Sequence, residues 1–111
     1  MKHRRLLYLF AILGAGLGVF GDVCGTEAAK GRAPVLLCIV GTLAWACCFP
    51  VWYFMSRWSG GGFTKPAALW TVAGTIIGGA VIAYYREPES PAKRALLVVI
   101  LIAGIAREIV P

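Results

Sequence analysis

The sequence predicts an all-α membrane protein with four transmembrane helices. Two observations carry this. Of the 111 residues, 59 % are hydrophobic and only 14 % are charged, far too apolar a balance for an ordinary soluble domain. The apolar residues also fall in four runs, separated by short segments rich in charge, glycine or proline. A run of about 20 apolar residues is what a bilayer-crossing helix needs. The chain is read as one transmembrane domain over residues 1–111, multi-pass in the cell (inner) membrane.

The first span is expected over residues 6–29. Lys2, His3, Arg4 and Arg5 precede it, like the basic start of a signal peptide. No A-x-A cleavage pattern follows and the apolar run continues past Gly18, so a retained span is expected. Asp22 is the only charged residue between Leu6 and Val23. A carboxylate inside hydrocarbon is costly, and such a residue marks a functional site. Ala11, Ala15, Gly18, Asp22, Gly25 and Thr26 follow at steps of three or four, so on a helix they share a face. Small residues there admit a second helix, and the carboxylate is expected to point into protein or a wet cavity. Gly18 and Thr26 are therefore candidates for the same site. Glu27 is the rival acid. It lies about 140° around the helix from Asp22, beside Lys30 and Arg32, where a solvated interfacial role accounts for it.

The second span is expected over 34–55. Pro34 suits a first helical turn, where its missing N–H costs nothing. Trp52, Tyr53 and Phe54 fit an interfacial aromatic belt. Trp45 lies deeper and is a candidate to face a cavity. Pro50 is expected to kink the helix or free a carbonyl. Ser59-Gly60-Gly61-Gly62 then ends the helical pattern.

The third span is expected over 66–85, with Trp70, Gly74 and Gly78 recurring every fourth residue. The fourth is expected over 92–109, after Ser90 as N-cap and Pro91 as first helical residue. Its wholly apolar part, Ala95 to Ala106, is short, so Lys93, Arg94 and Arg107 must snorkel to complete it. Gly14, Gly74, Gly78 and Gly104 are read as helix-packing positions.

Charge and cysteine usage narrow the function. The net charge of +6 is spread over the connections between spans, which suits lipid headgroups rather than nucleic acid. Cys24, Cys38, Cys47 and Cys48 show no C-x-x-C spacing and read as small buried hydrophobes. No metal or cofactor is expected, nor an enzyme. The one histidine is at the terminus, and no metal-ligand cluster or Ser/His/Asp set is visible. Four spans place six Lys or Arg on the side of the termini and five on the other. That balance sets no orientation under the positive-inside rule, and it is compatible with an antiparallel pair.

Asp22-Val23-Cys24-Gly25-Thr26 with Lys30 following, Trp70 downstream, and Glu87-Pro88-Glu89-Ser90-Pro91 before the last run together resemble the small multidrug resistance transporters of the drug/metabolite transporter superfamily. The likeness covers nearly the whole chain. It implies that Asp22 binds protons and a cationic substrate alternately, that Trp70 lines the binding chamber, and that the protein works as a dimer, commonly antiparallel. The chain departs from the family in carrying Asp where drug exporters usually have Glu, and Thr71-Val72 where Ser-Gly usually follows the tryptophan. These departures bear on substrate range more than on fold.

The expected function is proton-coupled export of small organic cations by a homodimer or a paralogous heterodimer. Two Asp22 carboxyls would meet at the dimer centre, with Trp70 and Trp45 adding cation–π attraction of roughly 0.5–2 kcal/mol. The alternatives are a flippase subunit for a polyprenyl-phosphate-linked sugar, a half-transporter needing a partner chain, and a membrane subunit without transport of its own.

Overall fold

The computed structural model describes residues 4–110, apart from the side chain of Glu108; Lys2 and His3 lie outside the described residues. The described chain is four α-helices: α1 (Arg4–Ala29), α2 (Pro34–Trp58), α3 (Thr64–Tyr85) and α4 (Pro91–Ile109). Every expected span is a helix, with ends displaced by at most three residues. Pro34 and Pro91 both sit in first helical turns. Ser90 caps α4, its Oγ accepting from the Lys93 backbone N–H at 3.3 Å. Gly60 and Gly61 take φ of 70° and 81° in the turn between α2 and α3, a conformation open to glycine. α2 runs through Pro50 without interruption.

Three helices, α1 to α3, are long and apolar enough to cross a membrane. The 26 residues of α1 give about 39 Å, more than the hydrocarbon thickness of about 30 Å. α4 is shorter, at 19 residues, and has charge at both ends. Large apolar side chains cover the outside: Val35, Phe49 and Ile109 are each more than 70 % exposed. Such a surface is unstable in water and suits lipid.

The helices run alternately up and down. α1 is the central element, packed closely on α2 and then on α3, whereas α4 touches only α3. A buried stripe on α1 explains this. Leu7, Ala11, Gly14, Ala15, Gly21, Cys24 and Ala28 recur at helical spacing, and most are too small to hold a neighbour away. Gly21 meets Gly41 of α2 so closely that a side-chain carbon on Gly41 would lie 3.2 Å from the Gly21 carbonyl oxygen. Leu7, Ala11, Val51, Met55 and Leu69 form the apolar core where the start of α1 meets the end of α2.

Two sequence readings need correction. The face from Ala11 to Thr26 is not uniformly packed: Ala11 and Ala15 are buried, but Asp22, Gly25 and Thr26 are exposed within the chain. The buried stripe drifts from Ala15 to Gly21 and Cys24, which leaves Asp22 at its edge. The cysteines divide as well. Cys24 is buried and Cys48 half-buried, but Cys38 and Cys47 are exposed on the outside of α2, and all four are free thiols.

Candidate functional site

Because Gly21 faces α2, Asp22, about 100° further around the helix, faces away from that contact. It opens into a groove of about 860 Å³ between α1, α3 and α4. α1 contributes Val19, Asp22, Val23 and Thr26; α3 contributes Gly78, Val81, Ile82 and Tyr85; α4 contributes Lys93, Leu96, Leu97 and Ile100. The connection Glu87–Ser90 lines the remainder. Gly78 leaves room here, since a Cβ at that position would meet nothing within 4 Å.

The groove is acidic in a basic protein. The chain has five acidic residues, and three of them, Asp22, Glu87 and Glu89, line it. Among the described Lys and Arg residues only Lys93 does so. One sign of charge between low-dielectric walls concentrates cations.

The Asp22 carboxylate has no hydrogen-bond or ion-pair partner among the described residues. Only its backbone carbonyl is engaged, accepting from Thr26 Oγ1 at 3.0 Å. Glu27 is different. Its Oε1 accepts from the Tyr85 hydroxyl at 2.8 Å and lies 3.6 Å from Lys30 Nζ. Its Oε2 lies 3.1 Å from Arg32 Nη1, an ion pair without hydrogen-bond geometry. Lys30 also covers the Tyr85 ring, 4.6 Å from its centroid. Glu27 thus holds together the ends of α1 and α3 and the loop from α1 to α2.

The two tryptophans lie elsewhere. The Trp70 ring packs on Gly14 of α1, edge-on to Trp52 at 5.5 Å, against the apolar core. Gly14 and Asp22 are eight residues apart, about 12 Å along the helix, so Trp70 and Asp22 do not share a cavity within the chain. Trp45 lies over Gly21 and donates Nε1–H to the Gly18 carbonyl at 3.1 Å. It braces α2 on α1 and does not line the groove, and neither does Gly18. Gly74 approaches Ala15, with its virtual Cβ 3.9 Å away, and Gly104 approaches Val72 at 3.6 Å. Asp22, Thr26 and Gly78 are therefore brought together, whereas Trp70, Trp45 and Gly18 serve the α1 contacts. Glu87, Glu89, Lys93 and Tyr85 join the site only through the fold. Their signal was the placing of two acids in the connection just before Pro91.

Compared with protein-family models, with curated proteins and with solved structures, the chain gives no match. The fold and the groove define a helical protein suited to a membrane, with an unpaired carboxylate facing an acidic cleft.

Proposed function

We propose that this protein is a proton-coupled secondary transporter that exports small organic cations, related to the small multidrug resistance transporters. The observation that carries the reading is the unpaired Asp22 carboxylate facing an acidic, apolar-walled groove. In this reading all four helices cross the membrane, α4 being completed by snorkelling of Lys93, Arg94 and Arg107. A second copy closes the open side of the groove between α1 and α4.

The chemistry follows from competition for one carboxylate. An organic cation favours the charged form and displaces the proton. Neither is held while the other occupies Asp22, so proton entry and cation exit alternate without a covalent step. The membrane potential adds about 2.3 kcal/mol per charge per 100 mV.

The test is transport current from proteoliposomes of the purified chain under a pH gradient. Guanidinium, quaternary ammonium and polyamine cations are supplied in turn. A current that Asp22→Asn abolishes, in a protein that still assembles, supports the proposal. A variant that still couples transport to pH overturns it.

A flippase for a lipid-linked sugar is the second reading. The apolar walls from Val81, Ile82, Leu96, Leu97 and Ile100, with Lys93 toward the loop end, suit a lipid tail with an anionic head. Silence with every cation, together with translocation of a polyprenyl-phosphate-linked amino sugar, would favour it.

A further inference from the structure

The two ends of the bundle carry similar numbers of cations but treat them differently. At the end formed by the close of α1 and α3, Lys30 and Arg32 turn inward to Glu27. Glu87 and Glu89 there flank Arg86, Lys93 and Arg94. The opposite end gathers Arg4, Arg5, Arg57, Lys65 and Arg107, and Glu108 is the one acid that the sequence places there. A count of basic residues alone does not reveal this difference.

We infer that this opposite end binds anionic phospholipid, with Arg4, Arg5 and Arg57 meeting the headgroup phosphates. Two of the arginines are held in place by aromatic side chains. Arg57 Nη1 donates to the Tyr53 hydroxyl at 3.2 Å, and the Arg4 guanidinium lies 5.9 Å from the centroid of Tyr8. Phe10 packs edge-on to Trp58 at 4.7 Å and to Phe54 at 6.3 Å, an aromatic cluster in the same half of the bundle, of the residue types that favour membrane interfaces. Fixed guanidinium groups suit phosphate, which they bind by paired N–H donors.

A second cleft points to lipid rather than free phosphate. It has a volume of about 310 Å³ between the start of α3 and the end of α4, at the same end of the bundle. Phe63, Ala67, Ala68, Val72 and Gly104 form its apolar wall, and Arg107 also lines it. An acyl chain seated there would carry its phosphate beside a guanidinium. Basic clusters bordering apolar helices attract anionic lipid in this manner.

The test uses the full-length protein reconstituted in bilayers with spin-labelled phosphatidylglycerol or phosphatidylcholine, comparing their association with the protein surface. Wild type is expected to prefer phosphatidylglycerol, and added salt to reduce the preference. The Arg4→Gln, Arg5→Gln, Arg57→Gln variant should weaken it about fivefold or more. The Arg86→Gln, Arg94→Gln variant should retain it. Gly104→Leu, which fills the cleft, should lower association of both lipids at the first shell. Equal association of the two lipids with wild type, or equal loss in the two arginine variants, would overturn the inference. Competition by inorganic phosphate at equal strength would assign the site to the free anion instead. None of these readouts depends on transport.

Discussion

The Tyr85 hydroxyl donates to Glu27 Oε1 at 2.8 Å, fastening the last residue of α3 to the last turn of α1. This bond, with the Lys30 and Arg32 ion pairs, separates the roles of two acids five residues apart. Glu27 has its partners within the fold, whereas the Asp22 carboxylate has none among the described residues.

Glu27→Gln is therefore expected to lower the thermal stability of the purified protein while leaving the proposed Asp22-dependent transport in place. Tyr85→Phe, which keeps the ring and removes the donor, should lower stability in the same direction. Melting in detergent, followed by circular dichroism, measures both. Loss of pH-coupled transport in a folded Glu27→Gln protein would instead make Glu27 the functional acid.

Gly14 has no room for a side chain. A Cβ there would enter the Trp70 ring, whereas one on Gly16 meets nothing within 4 Å. Gly14→Ala should cost about 1–3 kcal/mol through overpacking. Gly16→Ala should be neutral or stabilising by up to about 1 kcal/mol, because alanine is the better helix former. Unfolding in mixed detergent micelles compares the two.

Gly78 offers the complementary experiment. Its missing side chain faces open space beside Asp22. Gly78→Leu should leave the fold intact, fill part of the groove and raise the apparent KM for bulky cations more than for guanidinium. Unchanged kinetics for every cation would place binding outside this groove.

Glu87 and Glu89 act on the groove through its field. The Glu87→Gln, Glu89→Gln variant should weaken apparent cation affinity severalfold at low ionic strength and much less at high salt, since exposed charges are screened. Under the proposed mechanism proton coupling should persist, because Asp22 is retained. Transport measured across a salt series tests this.

Much of the fold was legible in the chain. Four apolar runs, with Pro34 and Ser90-Pro91 as start signals, specify four helices because local hydrogen bonding and capping are local properties. The isolated Asp22 was visible for the same reason, as an expensive charge in an apolar run. The sequence by itself thus determined the helices, their apolar surfaces and the acid most in need of explanation.

Only the tertiary structure decided which side chains meet. Helical spacing says which residues share a face, but not which neighbour that face receives. Gly21 against Gly41 and Gly14 against Trp70 set the rotation of α1. That rotation turns Asp22 toward Gly78 and α4, leaves Trp70 and Trp45 at the helix contacts, and gives the groove Glu87 and Glu89 from a distant connection and Lys93 from α4. Packing of small residues is a property of pairs of helices, and one helix's periodicity does not contain it.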